Sequence, residues 1–158
     1  MKIYFASDHA GFELKQSLIE FVRALGYEVE DCGPASFNEE DDFPDFVIPM
    51  AQKVAADLGS FGVVVGASGQ GEAIAANRVK GVRAAVYYGP AALEQTDVSG
   101  NVMDILTSTR AHNNANVLSI GARFVSGEDV EKALRVWLST PFSGDDRHAR
   151  RNAKLDSL

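Results

Sequence analysis

Three short clusters of polar residues each adjoin an apolar segment, and their side chains are of types that bind anions and move protons. The clusters are 7–9 (Ser-Asp-His), 66–72 (Gly-Ala-Ser-Gly-Gln-Gly-Glu) and 110–114 (Arg-Ala-His-Asn-Asn). Carboxylates and imidazoles are common proton carriers in enzymes that work near neutral pH. Ligands of an open parallel sheet bind beyond the carboxyl ends of its strands. We therefore predict that all three clusters lie at that edge of a sheet.

The second cluster has three glycines in six residues and leads into a helical pattern. Its backbone N–H groups can therefore surround an anion at the start of the helix. Ile74 stands where the third glycine of a dinucleotide fingerprint belongs, and the Gly-Lys-Ser/Thr of a Walker loop is missing. The loop predicts an anion site and argues against both of these nucleotide-binding classes.

Each candidate residue also has an ordinary structural explanation. Glu72 in the first turn of a helix can simply interact with the helix dipole, and Asp8 can cap the helix that follows it. His9 and His112 can be surface imidazoles, and Ser68 can be a turn hydroxyl that bonds its own backbone. Residue types alone leave both explanations open.

The pattern of apolar residues alternates short strands with amphipathic helices along the whole chain. The predicted strands are 3–6, 27–31, 62–65, 82–88 and 116–120, and the predicted helices are 12–25, 44–58, 72–79, 101–112 and 127–139. Such alternation implies βαβ crossovers. We therefore predict an α/β fold with a parallel sheet covered by helices on both faces.

Two charged segments complete this organisation. Residues 39–42, Glu-Glu-Asp-Asp, are predicted to be a solvated connection, after which Pro44 opens a helix. Residues 141–158 are predicted to be a basic helical extension. Arg147 and Arg151 lie four apart on one face of this helix, and the ordinary explanation for such a run is a solvated surface.

Length and composition restrict the class of protein. The 158 residues fit one domain, 1–158, and 15 Lys and Arg against 22 Asp and Glu give a net charge of −7, which argues against nucleic-acid binding. The apolar runs are far shorter than the roughly 20 residues of a membrane-spanning helix. Polar Ser7 and Asp8 follow the first apolar run too soon for a secretory signal. With Cys32 as its only cysteine, we expect a cytoplasmic protein without disulfides.

Six motifs, spread over nearly the whole chain, resemble those of the ribose-5-phosphate isomerase B family. They are Asp8-His9-Ala10-Gly11, Asp42-Phe43-Pro44, residues 66–78, His112-Asn113-Asn114, Gly121-Ala122-Arg123 and Arg147-His148-x-x-Arg151. The Ser-Gly-x-Gly-Glu-x-Ile-Ala-Ala-Asn stretch is specific to that family and to its galactose-6-phosphate and allose-6-phosphate relatives. The resemblance implies a Rossmann-like three-layer α/β/α fold with a five-stranded parallel sheet and a C-terminal helical extension.

The resemblance also implies an activity, the interconversion of ribose 5-phosphate and ribulose 5-phosphate through a cis-enediolate. The family takes its base either from a cysteine at the end of the third strand or from a glutamate that enters the next helix. Gly66 and Glu72 place this chain in the glutamate group. By the same resemblance, His112 opens the sugar ring, and Asp8 binds the hydroxyl protons with help from Asn113.

The remaining site residues implied by the resemblance hold the two anionic parts of the substrate. Ser68 and the N–H groups of the 67–72 loop, which includes Gly69, Gln70 and Gly71, would hold the enediolate. Four cationic or imidazole side chains would hold the phosphate: His9, Arg123, Arg147 and Arg151. No metal and no cofactor are expected, because amides and side chains serve the oxyanion.

The family's active site lies between two subunits, so the resemblance implies a homodimer, or a tetramer of such dimers, in which 141–158 contacts the partner. Two features depart from the family: Phe43 replaces a common tyrosine, and the 91–109 segment is longer than expected. Two alternatives stay open. One is an isomerase of a six-carbon sugar phosphate, and the other is a non-catalytic sugar-phosphate sensor.

Overall fold

Five parallel strands form the centre of the molecule, in a computed structural model that describes residues 1–91, 93 and 95–157. The strands are β1 (Lys2–Ser7), β2 (Glu28–Asp31), β3 (Phe61–Gly66), β4 (Ala84–Tyr87) and β5 (Val117–Gly121). Their spatial order is β2-β1-β3-β5-β4, and every neighbouring pair is parallel. The predicted five-stranded parallel sheet is confirmed.

The described residues form six α-helices, of which the first five cover the two faces of the sheet. They are α1 (Phe12–Ala24), α2 (Pro44–Ala56), α3 (Gln70–Ala76), α4 (Ile105–Ala111), α5 (Gly127–Ser139) and α6 (Asp146–Asp156). Apolar residues of α1, α4 and α5 form one core with the sheet, and those of α2 and α3 form the other. The three-layer fold and the C-terminal helix are thus as predicted. Within the described ranges, no helix is long and apolar enough to cross a membrane.

The largest difference from the sequence-based prediction concerns the helix expected over 101–112. It begins only at Ile105, because the Asp104 side chain accepts a hydrogen bond from the backbone N of Thr107 (3.0 Å) and caps the helix there. The preceding residues form a loop closed by an antiparallel bridge between Thr96 and Val102. This loop belongs to the long 91–109 segment, of which Ala92 and Glu94 lie outside the described residues.

The chain reverses its winding direction between β1 and β3. Helix α1 leaves β1 toward one face and α3 leaves β3 toward the other, although the two strands are neighbours. Such a switch point opens a crevice beyond the carboxyl ends of the two strands. The fold therefore brings the segment after β1 and the segment after β3 to one crevice.

Gly11 closes the contact between the two walls of this crevice. It ends a short 3₁₀ turn, His9–Gly11, that packs on the end of β3. A Cβ built on Gly11 would lie 2.0 Å from the carbonyl oxygen of Val65, which is backbone and cannot move aside alone. The absence of a side chain at this position fixes how closely the 3₁₀ turn approaches β3.

Replacing Gly11 by alanine should therefore destabilise the fold. We expect Gly11→Ala to lower the free energy of unfolding by about 1–3 kcal/mol, the usual cost of overpacking, as measured by denaturant titration. Gly127→Ala is the matched control, since its Cβ would meet only Leu14 Cδ1 at an ordinary 3.7 Å. Equal stability of the two variants would contradict the tight packing of the 3₁₀ turn.

Candidate active site

The Glu72 carboxylate lies directly over Gly66, at the end of β3. Glu72 is in the first turn of α3, and only 4% of its surface is exposed. A Cβ built on Gly66 would lie 1.8 Å from Glu72 Oε1, so the carboxylate fills the space that a side chain at position 66 would take. The Glu72 carboxylate can therefore take this place only while residue 66 is a glycine.

The surroundings of Glu72 favour its protonated form. Burial raises the pKa of its carboxyl, a hydrogen bond from its own backbone N–H opposes this, and the negative charge of Asp8 raises the pKa further. A carboxylate with a raised pKa takes up a proton more readily than an exposed one. These properties suit a general base.

Asp8 serves as a helix cap and also faces the same crevice. Its Oδ1 accepts hydrogen bonds from the backbone N of Ala10 (3.0 Å) and of Gly11 (3.2 Å), which confirms the structural explanation for this residue. Asp8 is nevertheless buried, and its charge acts on Glu72. The cap fixes the orientation of the Asp8 carboxylate, whose charge acts on Glu72.

The loop between Gly66 and Glu72 is shaped by close contacts at two glycines. Gly69 adopts a left-handed conformation (φ +74°), and a Cβ there would come within 3.1 Å of the Ser119 hydroxyl. That hydroxyl donates a 2.6 Å hydrogen bond to the carbonyl of Gly69. A Cβ on Gly71 would lie 2.9 Å from the ring of Phe43. Phe43, at the position where the family resemblance implies a tyrosine, thus packs its ring against the loop.

Two polar side chains of this loop bond within the protein. Ser68 Oγ accepts a hydrogen bond from the backbone N of Gln70 (3.3 Å), as expected for a turn hydroxyl. The Gln70 side-chain amide donates to the hydroxyl of Tyr88 (2.7 Å), whose ring packs edge-on against Phe124. Tyr88, directly after β4, and Ser119, in β5, support the loop. Sequence reasoning missed both because their partners are distant in the chain.

His9 and Arg123 lie together at the same edge. The Nδ1 of His9 is 2.8 Å from Asp41 Oδ1, and the backbone N of His9 donates to the same oxygen (3.0 Å). The bond to Asp41 raises the pKa of the His9 imidazole, and the nearby charge of Arg123 lowers it. These two groups place basic side chains at one end of the crevice.

The prediction of a solvated acidic loop is wrong for one of its four residues. Glu39, Glu40 and Asp42 are exposed, whereas the side chain of Asp41 is only 6% exposed. The two N–H groups of His9 stabilise this buried carboxylate. The local sequence carries no signal for the pair, because 32 positions separate the partners.

The third polar cluster is at the opposite edge of the sheet, so its predicted location was wrong. Residues 110–114 precede β5, and the segment before a parallel strand lies at the amino end of the sheet. The carbonyl of Asn114 accepts a hydrogen bond from the side chain of Arg83, just before β4. The carbonyl of Asn116 accepts one from the backbone N of Gly62, the second residue of β3. Five residues of β5 span about 16 Å. Within one chain, His112 and Asn113 therefore do not join Glu72.

The C-terminal helix packs beside His112. The rings of His112 and His148 stack in parallel, with centroids 4.1 Å apart and an interplanar angle of 5°. Asn152 of the same helix donates to the carbonyl of His112 (3.4 Å). Burial lowers the pKa of His148, and the charges of Arg147 and Arg151 act in the same direction. His112, Arg147 and Arg151 thus form a second polar group, at the amino edge.

Arg110 belongs to neither group, because it is buried. Its guanidinium donates to the carbonyls of Thr140 (3.2 Å) and Ala115 (2.6 Å) and stacks on the Phe61 ring, 4.4 Å from the centroid. Burial lowers its pKa to about 10. This arginine joins α4 to the segment after α5, so it cannot contact a phosphate at the surface.

The candidate residues therefore fall into two groups on opposite edges of one sheet, and we call each group a half-site. The carboxyl-edge half-site comprises Asp8, His9, Ser68, Gly69, Gln70, Gly71, Glu72 and Arg123, and the amino-edge half-site comprises His112, Asn113, Arg147 and Arg151. Among the described residues, no three His, Cys, Asp or Glu side chains are grouped so as to hold a metal ion.

Comparison with known proteins gives consistent matches over nearly the whole chain. A family model described as Ribose/Galactose Isomerase matches residues 3–155. Ribose-5-phosphate isomerase B of Mycobacterium tuberculosis is 38% identical over 151 residues, which cover 96% of this chain and 85% of that protein.

Solved structures agree with the sequence matches. Ribose-5-phosphate isomerase B from Mycoplasma genitalium, with bound ribulose-5-phosphate, has a TM-score of 0.85 at 34% identity and covers 99% of this chain and 94% of its own. The ribose 5-phosphate isomerase of Thermotoga maritima has a TM-score of 0.85 at 36% identity, with 99% and 98% coverage. The resemblance found in the sequence is confirmed: the chain belongs to the ribose/galactose isomerase family.

Proposed function

We propose that the protein is an aldose–ketose isomerase that interconverts ribose 5-phosphate and ribulose 5-phosphate. The observation that carries this proposal is the buried Glu72 carboxylate over Gly66, which supplies a base at the crevice of the sheet. The ribose-5-phosphate isomerases to which the chain is similar support the choice of substrate. A cytoplasmic location fits a chain with one unpaired cysteine.

The reaction moves one proton between two carbons of the open-chain sugar. Glu72 removes the proton from C2, the electrons form the C1–C2 double bond, and the aldehyde oxygen becomes the enediolate oxyanion. Ser68 and N–H groups of the 67–72 loop stabilise this charge, and Asp8 binds the sugar hydroxyls. Glu72 then returns the proton to C1. The C2 hydroxyl loses its proton and becomes the ketone, and Asp8 relays that proton to the C1 oxyanion, which becomes the C1 hydroxyl. This proposal needs no metal and no cofactor.

The site is completed by a second copy of the chain. A sugar phosphate is too short to span from one edge of the sheet to the other, so both half-sites act on one substrate only when two subunits meet. His112 of the partner subunit then opens the furanose ring, with Asn113 beside it. Arg147 and Arg151 of the same partner bind the phosphate together with His9 and Arg123. The proposed assembly is a homodimer with two shared sites.

Glu72→Gln tests the base directly. We expect the variant to lose on the order of 10²–10⁴-fold in kcat, because glutamine keeps the shape but cannot accept the C2 proton. Because the pKa of Glu72 is higher in the folded than in the unfolded protein, ionisation of this carboxyl lowers the free energy of unfolding at pH values above the ordinary pKa of glutamate. The variant should therefore be at least as stable as the parent at neutral pH, as measured by denaturant titration. Cys32→Ser is the control and should keep full activity; a Glu72→Gln rate within about tenfold of the parent would exclude Glu72 as the base.

Gly66→Ala tests the arrangement that positions the base. The three atoms nearest to the new Cβ all belong to the Glu72 carboxylate, which is the end of a flexible side chain. We expect the fold to persist while kcat falls about 100-fold or more. Adding Gly66→Ala to Glu72→Gln should cause little further loss, since both changes remove the same base. A further loss as large as that of Gly66→Ala alone would show that Gly66 acts independently of Glu72.

Mixing two inactive variants tests the shared site. Glu72→Gln and His112→Ala damage opposite half-sites, so each heterodimer contains one site with neither lesion. An equal mixture that exchanges subunits at random should recover about one quarter of the parent activity, because half of the dimers are mixed and each has one intact site. Glu72→Gln mixed with Gly66→Ala is the control, and it should recover nothing. No recovery in the first mixture, once native mass spectrometry detects heterodimers, would mean that one chain builds the whole site.

A further inference from the structure

Asp41 holds His9 at two points, and neither the family motifs nor the proposed reaction assigns it a role. Its Oδ1 accepts hydrogen bonds from the backbone N (3.0 Å) and from the ring Nδ1 (2.8 Å) of His9. The backbone N–H lies at the start of the 3₁₀ turn, where no helical carbonyl is available to accept it. Two bonds to a single oxygen fix both the main chain and the ring of His9.

The side chain of Asp41 is buried where it meets His9. The side chain is 6% exposed, and in the part of the chain that the structure describes its Oδ2 has no hydrogen-bond partner. A buried carboxylate is costly unless a cation or several donors compensate it. His9 supplies that compensation best when its ring is cationic.

The same contact determines which ring nitrogen faces a ligand. An ionised carboxylate only accepts hydrogen bonds, so Nδ1 of His9 must carry a proton in this contact. The other nitrogen, Nε2, donates a hydrogen bond only in the imidazolium form. The charged groups that act on the ring are Asp41, Asp8 and, from the loop after β5, Arg123.

We propose that Asp41 is a positioning residue for His9: its carboxylate holds the imidazole by Nδ1, so that Nε2 meets the substrate phosphate as a cationic donor. This inference rests on the proposed function, in which His9 binds that phosphate. The His9 side chain is 33% exposed, so a ligand can reach part of it, and the Phe37 ring lies edge-on beside it (centroids 6.4 Å apart). Asp41 thus acts on the substrate only through His9.

The effect on pH dependence follows from the direction of the pKa shift. The bond to Asp41 raises the pKa of His9, so His9 keeps its proton to a higher pH than an ordinary imidazole. Once the substrate phosphate is a dianion, above its own second pKa of about 6, its affinity should decline as pH rises through the pKa of His9. Without the Asp41 charge, the decline should begin at a lower pH.

Asp41→Asn in the full-length chain tests this role, with Glu40→Gln as a control that removes one charge from the same loop at an exposed position. We expect the pKa of His9, followed by NMR, to fall in Asp41→Asn, and KM for ribose 5-phosphate to rise about tenfold, the usual difference between a charge-assisted and a neutral hydrogen bond. The kcat should change less than about threefold, since the reacting carbons are not touched. Glu40→Gln should match the parent in all three measurements. An unchanged pKa of His9, or a loss that falls on kcat instead of KM, would overturn the proposal.

A double-mutant cycle separates positioning from simple loop support. In a His9→Asn background, Asp41→Asn should raise KM less than about twofold, because its route to the phosphate is gone. An undiminished effect in that background would contradict a role through His9. If Asp41→Asn does not fold, ¹⁵N shifts of the unmodified protein decide: Nδ1 of His9 must stay protonated above the pKa, and protonation at Nε2 would overturn the proposal.

Binding of inorganic phosphate to the unmodified protein provides a readout that needs no turnover. Its affinity should fall as His9 loses its proton, and it should fall at lower pH in Asp41→Asn. A parent protein that shows this behaviour but does not isomerise ribose 5-phosphate would overturn the proposed function and leave the role of Asp41 intact. If the protein isomerises ribose 5-phosphate but its affinity for inorganic phosphate does not depend on the protonation of His9, the proposed function stands and the role of Asp41 is overturned.

Discussion

The burial of one carboxylate over a residue without a side chain is the interaction on which the candidate site depends. Glu72 can fold back over the end of β3 only because Gly66 leaves the space empty. The loop between them follows a path that requires the left-handed Gly69 and the Ser119 hydroxyl on its carbonyl. Gly11 allows the β1 side of the crevice to approach, which brings the charge of Asp8 near Glu72.

Chain direction accounts for the division of the site. In a parallel sheet, a segment that follows a strand and a segment that precedes one lie on opposite edges, so Glu72 and His112 are held apart by the length of β5. Local contacts order residues of each half-site: Asp41 bonds to His9, and the ring of His148 stacks on that of His112. In the proposed homodimer, the docking of two subunits joins two preformed half-sites, which would limit the conformational entropy lost when substrate binds.

Local signals in the sequence predicted the parallel sheet, the helices and the location of the 7–9 and 66–72 clusters at its carboxyl edge, whereas the family resemblance supplied Arg123. The periodicity of apolar residues predicted the limits of α5. The glycine loop with Glu72 could be found because it comes directly after a run of residues typical of a buried strand. The acidic run around Asp41 was misassigned, because a carboxylate is buried only if a distant donor compensates it, and periodicity does not report such partners. His112 was placed at the wrong edge because its cluster was assigned by its polarity and not by its position before a strand. The late start of α4 depends on a single cap, Asp104.

The central claim is that the buried Glu72 carboxylate performs the proton transfer. Its most direct test is to titrate the Glu72 carboxyl by ¹³C NMR in the full-length protein and to compare the result with the pH dependence of kcat/KM for ribose 5-phosphate. Burial predicts that Glu72 titrates above the ordinary range of glutamate and that kcat/KM falls as pH decreases through the same pKa. A Glu72 that titrates at or below the ordinary value, or an acidic limb that does not coincide with its titration, would contradict the account.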